Sequence, residues 1–220
     1  MLFHQIIDLS HQLRPGHEAR RLSLERLEAT QITGAPREEG WYVMHYIGMD
    51  NHLGTHLEVP YHCLEDGADL AQIPAQQYVA QAVRLDVRGY GEHQAIPLDA
   101  VQEAATRAGG IRQGDAVVAW TGWSRHYGTP TYLHPPYLSE EALRWVVGHG
   151  IKMYGIDTPG AMNPDRPDRL NHLPLFEAGV VYIESLTNLE QIPQDRFLLV
   201  ALPPAIAGLE GITVRAVAVV

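Results

Sequence analysis

The sequence predicts an α/β protein in which one mixed β-sheet forms the core and helices flank it. Short segments rich in apolar and β-branched residues alternate with helix-like segments along the chain. The length of 220 residues allows one sizeable core, and 45% hydrophobic with 19% charged residues is ordinary for a globular protein. Because no internal repeat or long linker divides the chain, we expect a single domain spanning residues 1–220.

Strands are predicted where apolar, β-prone residues follow one another and turn-forming residues bound the run. In chain order these segments are residues 5–9, 42–49, 82–87, 116–120, 153–156, 180–183, 196–201 and 213–220. The segments 116–120 and 180–183 are apolar throughout. That pattern is typical of strands buried on both faces of a sheet.

Three helices are predicted from composition and capping residues. Residues 98–108 are rich in alanine and end at a pair of glycines, and residues 139–147 begin with Ser139 as N-cap, followed by two glutamates. A shorter helix is expected over residues 172–178, with Asn171 as its cap. 

Two charged or proline-containing segments are predicted to be long loops. One runs from Arg14 to Gly40 and the other over residues 160–169. Loops of this length in a compact domain often serve as lids or interface arms.

Charge and composition exclude several classes of partner. The net charge is −10, from 26 acidic against 16 basic residues, which argues against a nucleic-acid or anionic-membrane surface. No apolar run approaches the roughly 20 residues of a membrane span, and the first residues lack the pattern of a signal peptide. A single cysteine, Cys63, excludes an intramolecular disulfide and fits a reducing compartment, so we expect a cytoplasmic protein.

Residues 52–62, HLGTHLEVPYH, hold three histidines and one carboxylate. Gly54 and the β-branched residues disfavour a helix, and Pro60 restricts the residue before it. We therefore predict a strand that leaves a sheet and turns into a loop. An extended backbone points alternate residues to one side, and the four donors all stand at even positions: His52, His56, Glu58 and His62. Since His and Glu bind ions such as Zn²⁺ and Mn²⁺, the segment predicts a divalent-metal site.

Two nucleophilic mechanisms are less favoured. Cys63 follows His62, but adjacent residues on an extended chain point to opposite faces, so a small buried hydrophobe is the better interpretation of Cys63. Ser124 lies in the sequence TGWS, which lacks the Gly-x-Ser-x-Gly pattern of a serine hydrolase.

Several other segments accompany residues 52–62 in a fixed order: IDLSHQL at 7–13, GIDTP at 155–159, HLPLFEAG at 172–179, IESLTNL at 183–189 and LPPAIAGLEGITVRAV at 202–217. Together they resemble the motifs of the cyclase family of metal-dependent hydrolases, which includes kynurenine formamidases and isatin hydrolases. The resemblance covers nearly the whole chain. It implies a fold of the swivelling β/β/α type.

The resemblance also implies a ligand set and a proton carrier. Considered without the family, Glu184 is equally well explained as a solvated strand end or as a ligand, and for His172 a helix-cap residue is slightly favoured over a ligand. The family's ligand positions fall on His52, His56, Glu58, His172 and Glu184, with Zn²⁺ or Mn²⁺ as the expected ion. His62 matches the family's proton shuttle, and its titration near neutral pH suits that role.

One residue departs from the family pattern. The family has Asp where this chain has Glu58, so the carboxylate stands one methylene further from the backbone. This leaves three roles open for Glu58: bridging two ions, binding one ion, or supporting other ligands.

The implied activity is hydrolysis of an amide or lactam C–N bond in a small, aromatic substrate, as in an arylformamidase or isatin hydrolase. Trp41, Tyr61 and Trp123 are candidates for the walls of the substrate pocket, although each is equally suited to core packing. Two alternatives stay open: a metal-dependent cyclase or dehydratase acting on a small carbonyl compound, and a non-catalytic metal-binding protein. The resemblance further implies a homodimer or homotetramer, with the segment from Arg14 to Gly40 as an arm.

Overall fold

The computed structural model describes residues 5–33, 43–160 and 172–220. Within these residues the helices are α1 (Ala29–Thr33), α2 (Leu98–Arg107), α3 (Glu140–Val147) and α4 (Leu173–Glu177). The strands are β1 (Ile6–Asp8), β2 (Leu22–Arg26), β3 (His45–Met49), β4 (His56–Glu58), β5 (Val79–Asp86), β6 (Ala95–Ile96), β7 (Ala116–Trp120), β8 (Tyr137–Leu138), β9 (Met153–Ile156), β10 (Val181–Glu184), β11 (Arg196–Val200), β12 (Gly211–Thr213) and β13 (Val217–Val219).

A nine-stranded mixed sheet in the order β1-β13-β11-β5-β7-β9-β10-β4-β12 organises the molecule. The central strands β5, β7, β9 and β10 are parallel, and the strands on either side of them are antiparallel to their neighbours. The sheet is curled, as shown by the bridge between Ser10, which follows β1, and Leu186, which follows β10. The predicted α/β class with a mixed sheet is therefore confirmed.

The two faces of the sheet bury two apolar cores. Leu57 of β4, Ile183 of β10 and Leu199 of β11 point into the space that the curled sheet encloses. Residues of opposite parity, such as Tyr154 of β9 and Tyr182 of β10, pack under helices α2, α3 and α4. Because side chains alternate along a strand, His56 and Glu58 share the helix-covered side of the sheet with Tyr182.

The predicted strand 213–220 is wrong as a single element, because the chain divides there. Gly211–Thr213 pairs with β4 at one end of the sheet, whereas Val217–Val219 lies between β1 and β11 at the other. Between these strands Val214 N donates to Thr55 O, and Ala216 N donates to the Ser10 hydroxyl. The segment thus crosses between the two ends of the curled sheet.

The prediction of a loop from Arg14 to Gly40 is also wrong in part. β2 pairs with β3 in a separate two-stranded ribbon, and α1 follows; residues 34–40 lie outside the described part of the chain. Leu24, Tyr46 and Ile47 on this ribbon are exposed. β3 falls within the predicted strand 42–49, whereas the apolar–polar alternation of β2, LSLE, covers only four residues of a charged segment and was not predicted as a strand.

The predicted helices are confirmed within a residue or two. The Ser139 hydroxyl accepts from Ala142 N and caps α3 as expected. For α4, the N-cap position is taken by His172, with no capping bond from its side chain, while Asn171 lies outside the described residues. Among the described residues, no helix is long and apolar enough to cross a membrane.

Candidate metal centre

The pairing of β4 with β10 brings the first donors together. Their antiparallel register sets His56 opposite Glu184, and Glu58 opposite Tyr182. His56, Glu58 and Glu184 are all at least nine-tenths buried. The predicted strand that turns into a loop is present but short, with only residues 56–58 in the sheet. The extended backbone assumed for His52 and His62 is wrong, because both reach the site from the turns on either side.

The His56 ring is held as a metal-binding imidazole usually is. Its Nδ1 donates to Gly54 O at 2.8 Å, which orients the ring and leaves Nε2 as the free nitrogen. Nε2 lies 3.3 Å from Glu184 Oε2 and 3.4 Å from Glu58 Oε1. Burial alone would lower the pKa of His56, but these two carboxylates raise it to about 10. The site therefore favours a positive charge at Nε2.

Buried polar atoms without hydrogen-bond partners mark the same place. Among the described residues these atoms include Glu58 Oε2 and Tyr182 Oη, while His56 Nε2 makes no hydrogen bond beyond its two ion-pair contacts. Such atoms are rare in folded proteins unless a ligand, ion or water completes them. A divalent cation bound by nitrogen and oxygen donors fits this part of the structure.

His52 lies between two carboxylates. Its Nδ1 is 2.7 Å from Glu58 Oε1 and its Nε2 is 3.2 Å from Glu210 Oε1. Burial would lower the pKa of His52, but the hydrogen bond and charge of Glu58 raise it above the usual value. To bind a cation, His52 would exchange one of these contacts for the ion.

Glu210 was not among the predicted site residues. It stands just before β12, and its Oε1 also accepts from Asn51 Nδ2 at 2.7 Å. Its separation of 158 residues from His52 hides the contact from any local pattern. The available signal was its position beside Gly211 in a segment that matches the cyclase-family ending.

His62 reaches the site through a turn of 3₁₀-helix formed by Pro60–His62. Its Nε2 lies 3.9 Å from Glu58 Oε2, and its ring centroid lies 4.8 Å from that of His52. Burial lowers the pKa of His62, which favours the neutral imidazole. A half-buried, neutral histidine beside the donors is suited to accept a proton.

His172 enters from the start of α4, on the other side of His62. Its ring lies 5.5 Å from His62 and 5.8 Å from Tyr182, measured between ring centroids. His172 Nε2 is 3.4 Å from Cys63 Sγ. Cys63 packs against the helix-side core but is only partly buried, rather than buried as predicted. The argument that it faces away from His62 is wrong, because the 3₁₀ turn replaces extended backbone there.

Local backbone geometry positions Glu184. Ser185, which follows it, has φ +57°, an uncommon conformation for a residue other than glycine, and Ser185 O accepts from Thr55 Oγ1. Gly160 has φ +136°, and a Cβ there would lie 3.0 Å from Glu184 Oε1. The absence of a side chain at Gly160 therefore leaves room for the Glu184 carboxylate.

A cavity of about 620 Å³ opens beside the donors, with His52 and His56 on its wall. Tyr127, Tyr132 and Pro159 provide apolar surface, and residues 16–20 line another side. This volume is in the range of pockets for small organic ligands.

Of the three predicted pocket residues, two do not line the cavity and one lies outside the described residues. Trp123 is 3% exposed and its indole nitrogen donates to Tyr132 O, so it supports the cavity wall from behind. Tyr61 is 41% exposed, next to His62, and does not line the cavity. Trp41 is outside the described residues.

The fold and the buried donors define an α/β protein with a candidate divalent-metal centre. The family model described as "Putative cyclase" matches residues 7–161, which is more than half of the chain. The chain therefore belongs to the cyclase family.

Several known proteins similar to this chain are hydrolases by name. A kynurenine formamidase of Bacillus cereus is 24% identical over 192 residues, which cover 85% of each chain. A kynurenine formamidase of Erythrobacter litoralis is 26% identical over 158 residues, which cover 70% of this chain and 67% of the relative. The structure of isatin hydrolase A from Labrenzia aggregata, bound to benzyl benzoate, has a TM-score of 0.84 at 26% identity and covers 98% of this chain and 93% of that one. An isatin hydrolase bound to the product analogue thioisatinate has a TM-score of 0.85 at 19% identity, covering 98% and 92%.

Proposed function

We propose that this protein is a divalent-metal-dependent hydrolase that cleaves the amide or lactam C–N bond of a small aromatic substrate. The observation that carries the proposal is the convergence of three buried donors, with His62 beside them. His56 Nε2 lies 3.3 Å from Glu184 Oε2 and 3.4 Å from Glu58 Oε1, and Glu58 Oε2 has no hydrogen-bond partner among the described residues. The similarity to kynurenine formamidases and isatin hydrolases supplies the bond type.

The donors fall into positions that suit this chemistry. His52, His56 and Glu58 each offer a ligand atom, and these atoms lie within 4.8 Å of one another. Glu184 stands directly across from His56. A bound Zn²⁺ or Mn²⁺ would supply Lewis acidity toward a water and a carbonyl group.

His62 is proposed to carry the proton. Because its pKa is lowered, the ring is free to accept a proton from water at neutral pH and then to donate it to the departing nitrogen. The Glu58 carboxylate, whose Oε2 lies 3.9 Å from His62 Nε2, would stabilise the imidazolium while His62 carries the proton. The cavity wall of Tyr127 and Tyr132 would hold an aromatic ring next to His56.

A substrate screen tests the proposal. Protein loaded with Zn²⁺ or Mn²⁺ is incubated with aryl formamides, N-formylkynurenine and isatin, and ring opening or formate release is followed. We expect hydrolysis that a chelator abolishes and that His62→Gln reduces by about 10²-fold or more, as for loss of a general acid–base group. Absence of hydrolysis with metal-loaded protein would remove this proposal and favour the cyclase or dehydratase alternative.

The remaining expectations for partners are also proposals. We propose a homodimer or homotetramer, and the exposed apolar side chains of the β2–β3 ribbon are available for such a contact. Light scattering after size exclusion at micromolar concentration distinguishes these states from a stable monomer.

A further inference from the structure

We propose that Cys63 is a metal ligand, paired with His172, and that its sulfur makes this centre prefer Zn²⁺ or Co²⁺ over Mn²⁺. This inference rests on the proposed metal-dependent function and concerns the same site. It differs from the predicted ligand set, which contains nitrogen and oxygen donors alone.

The donor atoms of Cys63 and His172 already lie side by side. Cys63 Sγ is 3.4 Å from His172 Nε2, and the donor atoms of His62, Cys63 and His172 all lie within 4.8 Å of one another. This separation is compatible with two ligands of one tetrahedral ion, because Zn–S and Zn–N bonds are about 2.3 and 2.0 Å long.

The local fold explains how neighbours in sequence reach one site. On extended backbone His62 and Cys63 would face opposite ways. Here Pro60–His62 forms a 3₁₀ turn, and Cys63 N donates back to Pro60 O at 3.2 Å. The tighter turn brings both side chains toward α4, where His172 begins the helix.

The buried Glu58 carboxylate beside His62 also points to a cation here. Glu58 uses Oε1 for His52 and His56, while its Oε2 is buried, has no hydrogen-bond partner within the described structure, and lies 3.9 Å from His62 Nε2. Tyr182 Oη is likewise buried without a partner, and the Tyr182 ring stacks beside His172. A fully buried carboxylate oxygen is completed by a proton, a donor or a cation.

The chemistry of sulfur sets the metal preference. A cysteine binds metal as the thiolate, so binding would release the thiol proton to solvent. Thiolate is a soft ligand that favours Zn²⁺ and Co²⁺, whereas Mn²⁺ favours oxygen donors. The presence of Cys63 beside His172 should therefore change which ion is held, as well as how tightly.

Cobalt spectroscopy detects a bond between the metal and the Cys63 sulfur directly. Metal-free wild-type protein is titrated with Co²⁺ to saturation, and the near-ultraviolet thiolate-to-cobalt charge-transfer band is recorded. Because Cys63 is the only cysteine of the 220 residues, such a band in this protein reports Cys63. We expect the band in wild type and in Ala68→Ser, which introduces the same hydroxyl into the same loop, and its loss in Cys63→Ser.

Metal competition provides the second measurement. Cys63→Ser should weaken Zn²⁺ binding by about tenfold or more, the scale of loss seen when groups around a metal are removed, and leave Mn²⁺ binding nearly unchanged. A wild-type protein saturated with Co²⁺ that shows no charge-transfer band would overturn the inference, and so would an unchanged Zn²⁺/Mn²⁺ preference in folded Cys63→Ser. The Cys63–His172 contact would then be a hydrogen bond only. Hydrolysis of aryl formamides by wild type is scored separately, so the proposed function and this inference fail by different results.

Discussion

The protonation of His56 gives a test that needs only metal-free protein. His56 Nε2 lies 3.3 Å from Glu184 Oε2 and 3.4 Å from Glu58 Oε1, in a site that is almost completely buried. Although burial opposes it, the two carboxylates raise the pKa of His56 from 6.5 to about 10. The folded state therefore keeps a proton that the unfolded chain releases above about pH 6.5.

The sign of the effect follows from this difference. A group whose pKa is raised in the folded state stabilises it fully below the unfolded pKa, and this stabilisation is lost as pH rises toward the folded pKa. Between about pH 7 and 8.5, metal-free protein should lose up to about 2 kcal/mol of unfolding free energy. The raised pKa of His52 acts in the same direction, whereas His11 and His62, with lowered pKa values, are neutral in this range.

Urea unfolding in the presence of a chelator measures this loss, and the midpoint should fall by roughly 1 M across the range. His56→Gln should largely remove the dependence of stability on pH. The control is His149→Gln, which should keep this dependence because the His149 ring contacts Trp145, away from the site. Excess Zn²⁺ should reverse the slope, because metal ligands must be deprotonated and bind more tightly as pH rises. Metal-free wild type with constant or rising stability over this range would refute the assignment of a proton to His56.

The other predictions concern the metal and the rate. His56→Ala should remove most of the bound metal whereas His62→Ala should keep it and lose turnover; equal metal loss by elemental analysis would make His62 a ligand instead. The pH profile of kcat/KM should rise through a limb below about pH 6.5 that His62→Gln abolishes, because burial lowers the pKa of His62. Gly160→Ala should weaken metal binding, since its Cβ would lie 3.0 Å from Glu184 Oε1, while Gly89→Ala, with φ +108° and open space around it, should lose stability alone. Unchanged metal affinity in Gly160→Ala would show that Glu184 tolerates displacement.

The sequence predicted best those elements whose residues are buried by neighbouring strands. β7 and β9 have the predicted bounds, because apolar residues fill both faces of a central parallel strand. β2 was missed because its apolar–polar alternation, LSLE, covers only four residues inside a charged, turn-rich segment. The division between β12 and β13 follows from the curl of the sheet, which a one-dimensional pattern does not contain.

In the candidate site too, contacts between residues close in sequence were predicted better than contacts between distant ones. His56 and Glu58 were identifiable from spacing alone, because they share one strand. Their proximity to Glu184 depends on the register between β4 and β10, which the sequence does not show. Glu184 was included only because the family resemblance implies it as a ligand. The Cys63–His172 contact had no such guide, because the strand-like interpretation of residues 52–62 hid the turn at residues 60–62, and Glu210 had only its place in the segment that matches the family ending.

Glu58 links the donors, and β12 packs closely against the strand that carries it. Oε1 lies 2.7 Å from His52 Nδ1 while Oε2 faces His62, so one carboxylate contacts both flanks of the motif. An aspartate on the same backbone would withdraw the carboxylate by about 1.5 Å, beyond hydrogen-bond range of His52. Gly211 pairs with Glu58 across β4 and β12, and a Cβ at Gly211 would lie 3.5 Å from Glu58 Cγ and 2.7 Å from Leu57 O. The close approach of β12 to β4 therefore requires glycine at 211 and brings Glu210, the residue before it, to the far side of His52.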